Sequence, residues 1–266
     1  MSVNLQLQPV ESSASLDLGE SQVLKYLTIT PPKPPTATII FLHGLGDSAL
    51  GWQPMPKIFY ADPDLQHIKW IIPTAPSRSV TVNRGRIMNA WFDVFDVDRR
   101  EVEDVDGMRK AVGWIKRLID AEIESGTKPG RIIIAGISQG SVVSILTGLT
   151  SIGGESTHSR LAGVAVLASR IPMMSSFKEL ILPTAIENPI PMFWNHGTED
   201  ETITLEFAKR GVDLLREVGI PVQLSPGSQT DYRGLSFHTY EGLAHWISKE
   251  EVDDWKEWTK KAVPAE

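Results

Sequence analysis

Short, strongly apolar runs recur along the chain and alternate with longer amphipathic stretches. The runs are rich in β-branched residues and apolar on both faces, which is typical of strands buried in a parallel sheet. They are Ala37–His43, Trp70–Ile72, Arg131–Ala135, Leu161–Leu167 and Ile190–Trp194, with further strands predicted at Val23–Ile29 and Leu235–Tyr240. We therefore predict a sheet whose central strands are covered on both faces.

Amphipathic helices are predicted between these strands. Val105–Glu124 carries apolar residues at three-and-four spacing, and Ser138–Leu149 and Leu205–Val218 each follow a strand. A last helix opens at Ser248, and Glu251 stands at the spacing of a capping box. Strands that alternate with helices form βαβ units, so the predicted fold class is α/β, with a mostly parallel central sheet and helices on both faces.

The domain organisation is predicted from changes in this pattern. Residues 1–20 are polar and aperiodic, which indicates a flexible N-terminal arm. Beyond them the sequence contains no repeat, low-complexity tract or linker that would divide it. Residues 21–266 are therefore interpreted as a single domain, within the size range that one α/β domain reaches.

Composition and charge exclude several classes of protein. Of the 266 residues, 41% are hydrophobic and 22% are charged, which is the balance of an ordinary globular protein. The net charge of −7 argues against nucleic-acid binding, which depends on clustered Lys and Arg. The chain has no cysteine, so disulfides, thiolate catalysis and cysteine-ligated zinc are excluded. Its six histidines show no metal-binding His-x-x-x-His spacing, and no metal is predicted.

Targeting signals are absent from the sequence as given. The first residues lack both the basic segment and the apolar run of a signal peptide. No stretch approaches the 18 or so apolar residues of a spanning helix. We expect a cytoplasmic protein without stable membrane insertion; the sequence does not determine its oligomeric state.

The clearest chemical motif is Gly136-Ile137-Ser138-Gln139-Gly140, which matches the G-x-S-x-G nucleophile elbow. The motif follows a predicted buried strand and precedes a predicted helix, as the elbow requires. This context favours an α/β-hydrolase fold with Ser138 as nucleophile over a plain tight turn between strand and helix. A serine hydroxyl needs a base within hydrogen-bond reach, and in this fold the acid and then the histidine follow the serine in the chain.

Four histidines follow Ser138 and are candidates for the base: His158, His196, His238 and His245. His158 lies in a polar loop, and His238 lies within a predicted strand. His245 lies in the loop between the last strand and the last helix, where this fold presents its base. We therefore favour His245, with a surface histidine as the alternative interpretation.

The sequence pattern restricts the acid and the oxyanion hole to short segments and does not choose single residues for all of these roles. Three adjacent acids, Glu199, Asp200 and Glu201, follow the strand at Ile190–Trp194, and spacing alone does not choose among them. The first oxyanion donor would be the backbone N–H of Gln139. A second would come from the glycine-rich loop after the strand at Ala37–His43, in which His43 is expected to brace the loop rather than transfer protons.

Six sequence blocks occur in an order that resembles one known family. They are FLHGLGDS (Phe41–Ser48) followed by Gly51-Trp52, PTAP (Pro73–Pro76) followed by SVTVN (Ser79–Asn83), MNAWFDV (Met88–Val94), GISQG (Gly136–Gly140), HGTED (His196–Asp200) and GLAHW (Gly242–Trp246). In this order, from about Thr38 to the last helix, the chain resembles the acyl-protein thioesterase, lysophospholipase and carboxylesterase family of α/β-hydrolases.

The resemblance implies a role for each candidate residue. Ser138 would be the nucleophile, His245 the general base and Asp200 the acid of the triad. The backbone amides of Leu45 and Gln139 would form the oxyanion hole, and no metal or cofactor would be needed. Trp91 and Phe92, in the Trp-Phe-Asp block, would help to shape the site by packing.

The implied substrate is a long-chain acyl thioester on a protein cysteine, or a lysophospholipid. A short-chain carboxylesterase with small-molecule esters is the alternative, and a catalytically inactive binding protein is a more remote one. The sequence departs from the family at Ser141, where glycine is common, and at Thr74, where histidine is common. Ala168–Pro172 replaces a more usual Ser-Gly-aromatic stretch, and this departure concerns the acyl pocket.

Overall fold

The strands form a nine-stranded sheet and a separate two-stranded hairpin over the residues that our computed structural model describes, 10–19, 22–96, 102–152, 161–224 and 233–266. In chain order the strands are β1 (Val10–Gly19), β2 (Gln22–Thr30), β3 (Ala37–Leu42), β4 (Ile68–Thr74), β5 (Ser77–Val80), β6 (Arg86–Asn89), β7 (Ile132–Ile137), β8 (Gly163–Leu167), β9 (Pro191–Gly197), β10 (Val222–Leu224) and β11 (Gly234–Tyr240). The large sheet has the order β1-β2-β4-β3-β7-β8-β9-β11-β10.

The helices alternate with the strands of the large sheet. They are α1 (Ala49–Trp52), α2 (Met55–Tyr60), α3 (Val105–Glu124), α4 (Gln139–Leu149), α5 (Phe177–Leu180), α6 (Pro183–Glu187), α7 (Leu205–Glu217) and α8 (Lys249–Ala262). The predicted bounds of α3 are confirmed, and those of α4 and α7 differ by one residue at one end. The predicted capping box of α8 is present, because Ser248 and Glu251 each accept the backbone N–H of the other.

The direction of the strands confirms the predicted sheet. In the large sheet, the neighbouring strands in the series β4-β3-β7-β8-β9-β11-β10 are all parallel. In contrast, β2 is antiparallel to both β1 and β4. The carboxyl ends of β3, β7, β8, β9 and β11 therefore lie at one edge of the sheet. The loops that follow these strands carry all the candidate site residues.

The two faces of the sheet bury separate apolar cores, which confirms the α/β class. In β3, Ile40 and Leu42 belong to a core shared with α3, α4 and α7. The alternate residues Ile39 and Phe41 belong to the other core, shared with α1, α2 and α8. Successive side chains of a strand point to opposite faces, so an apolar residue is required at every position of the central strands.

The predicted flexible arm is wrong for the part of it that the structure describes. Val10–Gly19 forms β1, an edge strand that pairs antiparallel with β2 along its length. Its side chains from Glu11 to Ser15 are exposed, so backbone pairing rather than an apolar face holds the strand. Residues 1–9 and 20 lie outside the described residues, and the single domain over residues 21–266 stays a prediction.

Two further features bear on expectations from the sequence. The hairpin of β5 and β6 was not predicted, since its strands are short and largely polar.

Among the helices of the described residues, none has both the length and the apolar character needed to cross a bilayer. The cytoplasmic location stays a prediction.

Candidate active site

Ser138 stands at the sharp turn between β7 and α4. Its φ of 52° lies in the left-handed region that non-glycine residues rarely adopt. A Cβ on Gly136 would lie 2.5 Å from the carbonyl carbon of Gly140, and a Cβ on Gly140 would lie 2.1 Å from the Leu42 oxygen. Both glycines are therefore required by close backbone contacts, as the motif predicts.

Hydrogen bonds to the neighbouring strand β8 hold this turn in place. The backbone N–H of Ser138 donates to Leu167 O at 2.9 Å, and Ser169 Oγ donates to Ser138 O at 2.8 Å. Ser141 Oγ accepts the Leu167 N–H at 3.0 Å and donates to Gly136 O. The departure from the family at Ser141 thus adds a bridge within the turn, which sequence reasoning missed.

His245 connects the turn to the loop that follows β9. Its Nε2 lies 3.0 Å from Ser138 Oγ, and its Nδ1 lies 2.7 Å from Asp200 Oδ2. An Nδ1–H that donates to the carboxylate leaves Nε2 free to accept the serine proton. We call these three residues, which are distant in the sequence and meet at the sheet edge, the elbow trio.

Backbone hydrogen bonds hold the Asp200 carboxylate in addition to its contact with His245. Its side chain is buried, and its Oδ1 accepts the backbone N–H groups of Thr202 at 2.9 Å and Ile203 at 2.8 Å. Burial alone would raise the pKa of this carboxyl. The hydrogen bonds from His245 and Ile203 outweigh burial, so the pKa of Asp200 lies below its usual value and the group is ionised at neutral pH.

Among the other candidates, His196 also contacts the elbow trio, with its Nε2 3.4 Å from Asp200 Oδ2. Glu199 and Glu201 are exposed, so geometry selects Asp200 from the three adjacent acids. His196 is fully buried and donates from Nε2 to Ile203 O at 2.6 Å. Burial lowers the pKa of His196, which keeps this ring neutral. His158 lies outside the described residues.

Asn89, at the end of β6, clamps the glycine-rich loop after β3. The backbone O of Asn89 accepts the Gly46 N–H at 2.8 Å, and its side-chain Nδ2 donates to Asp47 O at 2.8 Å. Both bonds hold the two residues that directly follow Leu45, the predicted second oxyanion donor. Asn89 lies within one of the six sequence blocks, yet its position on the hairpin could not be predicted.

Trp91 links this loop to the turn at Ser138. Its indole Nε1 donates to His43 O, and its backbone N–H donates to Gln139 Oε1, both at 2.9 Å. Gln139 Nε2 in turn donates to Phe92 O at 2.8 Å. The predicted oxyanion positions Leu45 and Gln139 are thus tied to one buried segment.

His43 braces the loop, as predicted. Its Nε2 accepts the Ala75 N–H at 3.0 Å, and its Nδ1 donates to Gly44 O at 2.7 Å. Burial lowers the pKa of His43 and keeps the ring neutral, with both nitrogens engaged. This histidine is therefore bonded as a structural group.

A cavity of about 210 Å³ opens beside Ser138. Its wall is mostly apolar, and it includes the two predicted oxyanion positions. The described lining residues are Leu45, Val82, Asn83, Phe92, Val94, Asp96, Ser138, Gln139, Val142, Arg170, Thr202 and Ile203. A mostly apolar cavity beside the candidate nucleophile would suit the acyl part of a substrate.

A second serine, histidine and aspartate group lies between β11 and α8. Ser236 Oγ lies 2.7 Å from His238 Nε2, and His238 Nδ1 lies 3.5 Å from Asp254 Oδ2. Tyr240 also donates to Asp254 Oδ2, at 2.7 Å. Ser236 and His238 are buried, as expected for a strand residue. We call Ser236, His238 and Asp254 the strand trio.

Comparisons with known proteins agree with this fold. The phospholipase/carboxylesterase family matches residues 25–263. Acyl-protein thioesterase 1 of Cryptococcus neoformans is 37% identical over 244 residues, which are 90% of this chain and 98% of that protein. The crystal structure of Arabidopsis thaliana SOBER1 has a TM-score of 0.71 at 31% identity, covering 85% of this chain and 98% of that chain.

A second solved structure has a similar fold over most of the chain. The crystal structure of Zea mays acyl-protein thioesterase 2 has a TM-score of 0.74 at 26% identity, covering 90% of this chain and 98% of that chain. The matched family region includes every member of the elbow trio. By its sequence over residues 25–263 and by its fold, the chain belongs to the phospholipase/carboxylesterase family.

Proposed function

We propose that this chain is an acyl-protein thioesterase-like hydrolase in which the elbow trio cleaves acyl thioester and ester bonds. The observation that carries the proposal is a single imidazole bonded to two partners. His245 Nε2 lies 3.0 Å from Ser138 Oγ, and its Nδ1 lies 2.7 Å from the buried Asp200 carboxylate. Membership of the phospholipase/carboxylesterase family supports the same reaction class.

Acylation begins at the serine hydroxyl. His245 Nε2 accepts the proton of Ser138 Oγ as the oxygen attacks the acyl carbonyl carbon, and Asp200 stabilises the imidazolium that forms. The amides of Leu45 and Gln139 donate to the negative oxygen of the tetrahedral intermediate. The intermediate then collapses, the C–S or C–O bond breaks, and His245 gives its proton to the leaving thiol or alcohol.

Deacylation repeats these steps with water as the nucleophile. His245, neutral again, takes a proton from water, which attacks the acyl-serine carbonyl. The second intermediate releases a carboxylic acid, and the proton held by His245 returns to Ser138 Oγ. Every proton is carried by this chain's own residues, so the cycle requires no cofactor.

The acylated protein is proposed as substrate on two grounds. The Cryptococcus neoformans relative is an acyl-protein thioesterase by name, at 37% identity over nearly its whole length. The largely apolar cavity next to Ser138 offers a binding site for an acyl chain. A carboxylesterase for short esters of small molecules is the second candidate, favoured by the modest cavity volume of about 210 Å³.

The first experiment compares two serines with similar hydrogen bonds. Wild type, Ser138→Ala and Ser236→Ala would be assayed with p-nitrophenyl octanoate and labelled with a fluorophosphonate probe. We expect wild type and Ser236→Ala to hydrolyse the ester and to label, and Ser138→Ala to do neither. An unlabelled, inactive wild type would support the inactive binding protein, and a Ser138→Ala protein with full activity would refute the proposed nucleophile.

A second assay separates the two candidate substrates. The same S-octanoyl group would be offered on the cysteine of a short peptide and on N-acetylcysteamine, a small thiol. An acyl-protein thioesterase should have the higher kcat/KM with the peptide, because its binding surface extends beyond the thioester. Equal or better hydrolysis of the small thioester would favour the carboxylesterase.

A further inference from the structure

The segment from Ala168 to Met173 is an unusual part of the cavity wall. It follows β8, and both Ala168 and Met173 have positive φ, of 46° and 49°, in the region that non-glycine residues rarely adopt. Backbone of this kind persists where its surroundings hold it, and it is frequent at ligand sites. Ser169, within the segment, also donates to the carbonyl of Ser138. The segment is thus tied directly to the candidate nucleophile.

Arg170 is the side chain of this segment that lines the cavity, and it is the only cation among the described lining residues. Its Nη2 lies 2.6 Å from Glu103 Oε1, and its Nη1 donates to Ile171 O at 3.3 Å. The two side chains are 14% and 8% exposed, so the ion pair is largely removed from water. Glu103 also accepts the N–H of Met173, which fixes the pair to the backbone.

The guanidinium has N–H groups that the described residues do not engage. Its contacts with described residues engage two of the five N–H donors that an arginine carries. A hydrocarbon chain that covered the others would leave them without a hydrogen-bond acceptor. An unmet buried donor weakens binding by roughly 5- to 150-fold, whereas each buried methylene strengthens it by only about fourfold.

The cavity volume gives the acyl length that fills the cavity and therefore covers all of its wall, Arg170 included. A methylene group occupies about the volume of a water molecule, about 30 Å³, so a cavity of about 210 Å³ has room for about seven carbons beyond the carbonyl. We propose that Arg170, held by Glu103, is a specificity-determining residue that limits the accepted acyl chain to about eight carbons. This inference rests on the proposed function and narrows its substrate from long to medium-length acyl groups.

The first test measures kcat/KM of the wild type with p-nitrophenyl esters from C4 to C14. Up to octanoyl, kcat/KM should rise about fourfold per added methylene, as for burial in an apolar pocket. Beyond octanoyl the rise should stop or reverse. A profile that keeps rising through C14 overturns the proposal.

The second test changes the ion pair itself. In the variant Glu103→Gln with Arg170→Ala both charges are removed together, and the glutamine oxygen still accepts the Met173 N–H. The ratio of variant to wild-type kcat/KM cancels the differing solubility of the esters, because both enzymes meet the same substrate solution. It should be at least tenfold larger at C12 than at C4. Arg170→Lys, which keeps the cation, should retain the wild-type profile.

A control removes another cation–carboxylate pair, one that lies on the exposed surface. Lys178 and Glu217 lie 2.7 Å apart on the exposed surface, and Lys178→Ala with Glu217→Gln should leave the ratio near one at every length. A flat ratio for the Arg170 variant overturns the proposal. Should that variant not fold, Glu103→Gln with Arg170→Met, which fills more of the space left by the arginine, replaces it and should give the same increase in the ratio between C4 and C12.

The inference and the proposed function fail separately. If no ester is hydrolysed in a Ser138-dependent manner, the proposed function fails and the chain-length limit fails with it. If Ser138-dependent hydrolysis is present and the profile has no break at about eight carbons, only the role assigned to Arg170 fails.

Discussion

The elbow trio and the strand trio hold the same three side-chain types at similar distances. The serine oxygen lies 3.0 Å from the histidine in the elbow trio and 2.7 Å in the strand trio. The aspartate lies 2.7 Å from the other ring nitrogen in the first and 3.5 Å in the second. By these distances alone, both trios contain a serine that could be activated.

Their surroundings differ in every respect that catalysis needs. The residues of the elbow trio come from three loops at one edge of the sheet, and Ser138 opens onto a cavity shared with two candidate amide donors. Ser236 and His238 stand two residues apart on one face of β11, packed beneath α8. Ser236 is only 7% exposed, so a substrate carbonyl has little access to it. The comparison teaches that access and oxyanion donors, rather than serine–histidine contact, distinguish a reactive site from a satisfied polar cluster.

The histidines should show the largest difference between the trios. His245→Ala removes the proposed base and should lower kcat/KM by about 10⁶-fold, as loss of the base does in serine proteases. His238→Ala should leave kcat/KM near the wild-type value and lower only the melting temperature, since it opens a space beneath α8. Ester kinetics and thermal melts of both variants check this. A folded His238→Ala protein without activity would assign the strand trio a part in catalysis.

The aspartates should differ by a smaller factor. Asp200→Asn preserves shape but cannot stabilise the imidazolium, so kcat should fall by about 10⁴-fold. Asp254→Asn still accepts the Tyr240 hydroxyl and should keep wild-type kcat. Rates measured between pH 6 and 9 test the pair. Equal losses in the two variants would contradict the distinction between the trios.

The clamp on the glycine-rich loop should have a moderate effect. Asn89→Ala removes the side-chain bond to Asp47 O and leaves the backbone bond to Gly46, so we expect kcat to fall by about tenfold, less than loss of a whole oxyanion donor costs. KM should change little, because the amides act on the transition state. Asn188→Ala, at an exposed position on the end of α6, is the control and should match the wild type. A rise in KM with unchanged kcat would contradict a role in the oxyanion hole.

Glu251, close to the strand trio in α8, should affect stability and not the rate of catalysis. Burial raises the pKa of Glu251 to about 7, so the folded protein holds this proton more tightly than the unfolded chain. The stability that the folded protein gains by holding this proton is fully present below about pH 4.5 and is lost as the pH rises to about 7. Glu251→Gln keeps the capping bond and should exceed the wild type by about 3 kcal/mol in the free energy of unfolding at pH 8.

Urea denaturation between pH 4.5 and 8.5 measures this difference. The gap between Glu251→Gln and wild type should be small at the lowest pH and should widen as the pH rises. Glu250→Gln, at the exposed neighbouring position, should give a nearly constant gap. A Glu251→Gln protein that is less stable than wild type at pH 8 would show that the ionised carboxylate is favourable.

Much of the fold was predictable because burial constrains sequence strongly. The central strands lie in the apolar runs, and α3 has the predicted bounds because its apolar stripe must face the sheet. β1 was not predictable, since an edge strand held by backbone pairing needs no apolar pattern. The same reason explains why the hairpin of β5 and β6 was missed.

The candidate site was predictable where local geometry dictates residue type. Gly136 is required by contact within the turn and Gly140 by contact with β3, and the motif therefore points to Ser138. Asp200 could be chosen from three acids only by resemblance, because the choice depends on which side chain turns inward. The pairing of Arg170 with Glu103, 67 residues apart, depends on the folded path of the chain and leaves no local signal. The catalytic roles stay predictions until the variants are measured.

Because Gly140 has no Cβ, the turn that carries Ser138 and the loop that carries Leu45 can lie close together. With a Cβ at this position only 2.1 Å from the Leu42 oxygen, the first turn of α4 rests directly on the end of β3. Leu42 is also the last residue before the loop that carries Leu45. We therefore expect small motions of the sheet to displace Ser138 and the loop together. The distance between Ser138 Oγ and the amide of Leu45 should then depend more on this backbone contact than on side-chain motion.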